Sequence, residues 1–322
     1  MKLAAVLTAA FIAAAVPLAA QAPGSSDRAP RTPWGDPDLQ GNYTNLSEAG
    51  TPMERPKEFD GKKLSDVPVE ERLRIKRKLA EDTIGRFLDP LEAPDNWWQP
   101  AYGKYASEGA QLWFGVDPAD GKIPPLTPDG QKRKDAADAA RKVSKREHPD
   151  WVTDLTLYDR CITRGLPGSM LPVIYGDAYQ IVQAPGSVAI LYEMVHEARV
   201  IPLDGQPHAS TGVHLDMGDA RGHWDGDTLV VETTNFRRRS VYMNANPDRL
   251  KITERFTRVG PRMVRWQVTV DDPTTWTRPW TFAMPLAEDE SQPFMPYECH
   301  EGNYGVRNIL SAARAEDKAA AR

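Results

Sequence analysis

The sequence predicts a mainly β protein in which an antiparallel meander closes into a barrel behind a helical N-terminal extension. Three observations lead there. Between Tyr179 and Leu286, β-branched and aromatic runs are separated by the turn steps Pro185-Gly186-Ser187, Asp204-Gly205 and Asp225-Gly226, where glycine supplies the positive φ of a tight turn. Side-chain character alternates with a period of two: Leu250, Ile252, Glu254 and Phe256 share one face, and Lys251, Thr253, Arg255 and Thr257 the other. Finally, a meander of this length leaves two open edges, and curling closed hides them. A lipocalin- or calycin-like barrel is the expected architecture, with a β-sandwich as the alternative.

In chain order, Lys2 and the apolar, Ala-rich run Leu3 to Ala20 read as a signal peptide over residues 1–22, which implies a periplasmic or secreted protein. No later run approaches the ~20 apolar residues of a membrane span. Residues 23–150 read as an N-terminal extension packed on the core: a disordered start, a turn and short strand around Trp34 to Tyr43, and two helices. The first helix is expected over Ser65 to Arg86 with Ser65 as its cap, and the second over Pro128 to Glu147 with Thr127 as its cap. Between them, Trp97, Trp98, Tyr102, Tyr105, Trp113 and Phe114 are too dense for a solvated linker and are expected to pack on the barrel or line a cleft. Residues 151–310 are expected to form the barrel and 311–322 a flexible tail. The two cysteines, Cys161 and Cys299, fit one disulfide tying the start of the β region to its end.

The chemistry concentrates between Tyr179 and Phe236, which holds four of the six histidines: His196, His208, His214 and His223. The run VAILYEMVHEARVIPL reads as one strand, with Ala189, Leu191, Glu193 and Val195 on an apolar face and Tyr192, Met194 and His196 opposite. A carboxylate on an apolar face has its pKa raised by desolvation, and histidine titrates near neutral pH, so together they suit general acid–base work. Arg199 or Arg221 suits an anion clamp. Further binding candidates are His208, beside the Asp204 turn; Trp224, Trp276 and Trp280, as stacking surfaces; and His300, beside Cys299. Trp266 shares a face with Val264, Val268 and Val270 and reads as core. Ion pairing, turn chemistry and a structural clamp at the C-terminus are the plainer readings of these same groups.

Other classes are weaker. The net charge of −5 gives no electrostatic case for nucleic acid. GxSxG and GxGxxG are absent. Five histidines lie beyond residue 190, but without HxH, HExxH or CxxC spacing, so no metal ligand is assigned, and zinc or another divalent metal is kept only as an alternative cofactor.

The motifs RTPWGDPDLQGNYTN, CITRGLPGSMLP, YQIVQAPGSVAILYEMVHEARVIPLDGQPH, RGHWDGDTLVVETTNF, LKITERFTRV, DPTTWTRPWTF and YECHEGNYG resemble a large family of exported, uncharacterised bacterial proteins. The resemblance spans nearly the whole mature chain and implies one continuous unit; it carries no catalytic role. Where many relatives resemble TWMGHSIGRWEGD, this chain has His214-Leu-Asp-Met-Gly-Asp-Ala-Arg-Gly-His223-Trp-Asp-Gly-Asp227, and Met243-Asn-Ala-Asn-Pro247 stands where many resemble PHSE.

The resulting expectation is an exported enzyme with a ligand-filled barrel, acting without a cofactor on a small organic, aromatic or carbohydrate-derived molecule as a hydrolase, lyase or isomerase. Glu193 or Glu254 would act as acid or base, His196 or His223 as its partner, and Arg199 or Arg221 as the clamp, with Tyr192 alongside. The alternatives are a non-catalytic lipocalin-type binding protein and a histidine-ligated metalloenzyme. The expected partner is a small molecule, not nucleic acid or a membrane.

Overall fold

A computed structural model describes residues 30–88, 111–173, 176–290, 294–295 and 297–321. The expected signal peptide and Trp97, Trp98, Tyr102 and Tyr105 lie outside these residues. Ten strands make one antiparallel sheet: β1 (Gly41–Thr44), β2 (Gly115–Asp117), β3 (Ala178–Ala184), β4 (Ser187–Tyr192), β5 (Ala198–Pro202), β6 (Asp219–Asp225), β7 (Thr228–Thr234), β8 (Lys251–Gly260), β9 (Met263–Asp271) and β10 (Trp280–Glu288). Their order is β5-β4-β3-β1-β10-β9-β8-β7-β6, and β2 pairs with the first part of β10, where β1 does not reach. The extension therefore contributes two strands to the sheet.

The sheet curls until its end strands, β5 and β6, lie side by side, giving a nearly closed barrel. With an odd number of strands in an antiparallel path, the two end strands run in the same direction. No tight hairpin can join them, so residues 203–218 return along the length of the barrel. The seam is closed by packing: a Cβ on Gly222 would meet Ile201 Cγ2 and Leu203 Cδ2, each at 2.7 Å. The turn signals hold at the hairpins, where Gly186 and Gly226 take φ of 79° and 59° between paired strands.

The barrel interior is filled with side chains. β4 contributes Val188, Ile190 and Tyr192, β8 contributes Ile252, Glu254 and Phe256, and β9 contributes Val264, Trp266 and Val268, all buried. Trp276 and Trp280, expected to contact ligand, are instead 1% exposed and packed edge to face at 5.9 Å within this core. The β9–β10 connection carries Trp276 into this core, and Trp280 opens β10 opposite Val270.

Among the described residues, three α-helices flank the sheet. α1 (Val69–Leu88) begins after a short turn containing Ser65 and docks through a buried ion pair between Lys76 and Glu48. α2 (Pro128–Lys142) carries the expected cap, with Gly130 N donating to Thr127 Oγ1 at 3.0 Å, and its Arg133 donates to Thr275 Oγ1 at 2.6 Å. α3 (Tyr304–Ala320) runs through the expected flexible tail; Asn303 caps it, and Arg314 donates to the backbone carbonyls of Pro149 and Asp150. In the aromatic segment, Trp113 stacks near Phe59 with Arg55 4.7 Å from its ring, while Phe114 joins the barrel core. Cys161 and Cys299 form the expected disulfide across 138 residues. Among the described residues, no helix is long and apolar enough to cross a membrane.

Candidate functional site

Alternation places Glu254 inside the barrel, where it meets Arg199 rather than a histidine. The two side chains form a two-pronged ion pair, with Arg199 Nη2 to Glu254 Oε1 at 3.0 Å, and Trp266 Nε1 donates to the same oxygen at 3.1 Å. Both charged groups are sealed from water. Burial alone would lower the pKa of Arg199, but the neighbouring Glu254 carboxylate reverses this and holds the guanidinium charged. Tyr192 lies in the same interior, and burial raises its pKa. This group bridges β5 and β8 across the seam.

The predicted long strand breaks after Tyr192. Residues 193–197 form a tight turn with Val195 at φ 65° and His196 at φ 41°, a region that β-branched residues rarely enter. The inward face of β4 is thus Val188-Ile190-Tyr192, one residue out of step with the expected face. Glu193 is half-buried and accepts from Ala178 N at 3.1 Å; burial raises its pKa. His196 is exposed, 3.2 Å from Tyr297 O and 3.7 Å from Glu298 Oε2, with the exposed His300 ring 6.1 Å away.

The remaining candidates are dispersed. His223 points outward from β6 into solvent, while Trp224 turns inward against the core. His208 Nδ1 lies 2.9 Å from Asp219 Oδ2, and Arg221 Nη1 lies 3.0 Å from Asp219 Oδ1. His214 is held by Phe236 O at 3.1 Å. No three histidine, cysteine or acidic side chains are arranged to hold a metal ion among the described residues.

The structure instead opens a cleft of about 790 Å³ at the barrel end where β3, β5 and β6 begin. Its walls come from residues 156–173, from 239–241 and from Thr83 of α1. Gly165 brings the first two together: at φ 68° it approaches so closely that a Cβ would meet Ser240 O at 2.9 Å. Leu157, Leu171, Pro172, Val173 and Val241 make much of the wall apolar. Arg164 lies against the Tyr158 ring at 5.7 Å, and its Nη1 is buried with no hydrogen-bond partner among the described residues. Arg239, at the rim, is held by both oxygens of Asp216.

Two carboxyls stand behind this wall. Glu197 is half-buried; burial raises its pKa, opposed by hydrogen bonds from Thr163 Oγ1 at 2.8 Å and Ser169 Oγ at 3.4 Å. Thr163 itself lines the cleft. Asp177 is pushed up to about 6 by desolvation, against a hydrogen bond from Thr44 Oγ1 at 2.9 Å. Sequence reasoning missed Arg164, Glu197 and Asp177. The only signal was the glycine- and proline-punctuated run CITRGLPGSMLP just before the first barrel hairpin, the kind of loop in which binding residues concentrate.

The chain matches no protein-family model, and no curated protein is significantly similar to it.

Proposed function

We propose that this is an exported protein that binds a small organic anion with an apolar body, and that its site is the end cleft rather than the barrel interior. The observation carrying this reading is Arg164: its side chain lines an apolar-walled space large enough for a small molecule, and its Nη1, buried at the wall, has no hydrogen-bond partner among the described residues. Unmet buried donors are costly and are met when an acceptor arrives, and a carboxylate is the natural complement of arginine. The packed barrel interior supports placing the ligand outside it. The leading Ala-rich run and the disulfide support export.

A second reading, enzymatic acid–base chemistry, is favoured by Glu197. Its raised pKa and its hydrogen bond from Thr163 suit a proton donor or acceptor reached from the cleft through that hydroxyl. The test has two parts. Natively purified protein is analysed by mass spectrometry for bound organic anions, and benzoate is titrated into wild type and Arg164→Gln. Binding that Arg164→Gln weakens about tenfold supports the site, in line with loss of a charge-assisted hydrogen bond. No bound anion together with no benzoate binding ends the reading. A substrate identified in this way whose turnover, but not affinity, is lost in Glu197→Gln establishes the enzymatic form.

A further inference from the structure

We propose that a second hollow, beside the disulfide, binds an organic ammonium ion of the methylated type. It measures about 400 Å³ and is lined by Tyr158, Tyr297 and Tyr304 together with Asp159, Glu298 and Glu301. The three rings are 37%, 47% and 63% exposed, so aromatic surface is left uncovered where core packing would have hidden it. Among the described residues, no lysine or arginine lines the hollow. Aromatic faces carry negative quadrupole charge and attract N-methyl cations, and a nearby carboxylate adds full charge attraction.

The electrostatics of each neighbour can be weighed. Asp159 is committed to Arg146 at 3.2 Å, and Glu298 Oε2 lies 3.7 Å from His196 Nδ1. Glu301 makes no ion pair among the described residues and is exposed. The N-terminus of α3 opens here and brings a partial positive charge, but it is capped by Asn303, and a partial charge is outweighed by one full carboxylate. A bare metal ion fits poorly, because it needs converging ligands and no three gather here. Arg164, 5.7 Å from the Tyr158 ring, shows one of the three rings already receiving a cation from the neighbouring cleft.

The hollow shares Tyr158 with the anion cleft, and the experiment keeps the two apart by varying residues that line only one of them. Choline chloride is titrated into the full chain and followed by calorimetry, with sodium chloride at matched ionic strength as control. Choline is expected to bind and sodium not. The double variant Tyr304→Ala/Glu301→Gln, both exposed positions, is expected to weaken choline binding about tenfold with its melting temperature unchanged. Arg164→Gln, which takes a competing cation from the Tyr158 ring, is expected not to weaken choline binding, and the double variant to leave benzoate binding unchanged. No choline binding above the sodium control, or wild-type choline affinity in the double variant, overturns the proposal whatever the outcome at the cleft.

Discussion

Burying Arg199 and Glu254 together takes two full charges out of water, which costs several kcal/mol per ion and is offset only by their mutual attraction and by the hydrogen bond from Trp266. Removing one partner leaves the other charged and uncompensated. Glu254→Gln is therefore expected to lose about 3–5 kcal/mol in urea denaturation, and Arg199→Met/Glu254→Leu to recover much of it, because well-packed apolar residues replace a buried pair at little net cost. Wild-type stability in Glu254→Gln would show the pair to be hydrated. Asp177 makes a pH-dependent contribution. Its pKa is raised from 3.8 to about 6 by burial, so the folded chain holds this proton more tightly than the unfolded chain. The resulting stabilisation is complete below the unfolded value and is lost as pH rises through about 6. Glu193 and Glu197 are raised by burial too and add to the same trend. Asp177→Asn is expected to flatten the fall in melting temperature between about pH 4 and pH 6, the window between the two pKa values. An unchanged slope would mean that Asp177 is ionised in the folded chain throughout.

The seam between β5 and β6 depends on shape, because no ladder joins these strands. Gly222→Val would drive new carbons into Ile201 and Leu203, where even a Cβ comes within 2.7 Å. The expected loss is about 1–3 kcal/mol, the usual cost of overpacking, read from chemical denaturation. The 193–197 turn depends on its covering segment. Cys161, Met194, Val195 and Cys299 pack together, and Tyr297 N donates to Glu193 O at 2.8 Å. The disulfide thus holds the C-terminal segment over a turn whose backbone is otherwise unfavourable. Replacing both cysteines by serine removes a cross-link over 138 residues, worth about 5 kcal/mol in the chain-entropy model. Calorimetry is expected to show a large drop in melting temperature. Amide exchange should rise first at residues 193–197, and uniform exchange across the barrel would place the cross-link's effect in the unfolded chain alone.

At the scale of the whole molecule, a ligand that binds only the folded chain stabilises it by mass action, by about 2.7 kcal/mol at a hundredfold excess over Kd. Benzoate at that excess is expected to raise the melting temperature of wild type and to raise that of Arg164→Gln only about half as much, since a tenfold weaker site gains about 1.4 kcal/mol at the same concentration. Equal shifts in both would place the anion elsewhere. The barrel itself was legible because its signals are local: Pro185-Gly186 and Asp225-Gly226 specify turns, and two-residue alternation in β8 fixes which side chains turn inward. β4 was misread by one residue because both its faces are apolar in sequence, Val188 and Ile190 on one side and Ala189 and Leu191 on the other. Nothing local says which packs inside. The interior role of Glu254 was legible as burial, but its partner on β5 was not, since the two residues are 55 positions apart. Of the cleft only the run CITRGLPGSMLP was legible, since the space itself exists only where Gly165 meets Ser240.

By itself the sequence determined a β meander with its turns, the helix capped at Thr127, and a cross-link available between two cysteines, because hydrogen-bonding periodicity and backbone φ preference act over a few residues. Tertiary structure alone decided that the acid–base candidates part company, Glu254 neutralised by Arg199 inside and His196 and His223 left in water. It also decided that a guanidinium with one nitrogen unpartnered among the described residues and a carboxyl whose pKa burial raises gather at the barrel end. Burial and pairing depend on which distant segments share a space, and only the closed sheet with its covering loops settles that.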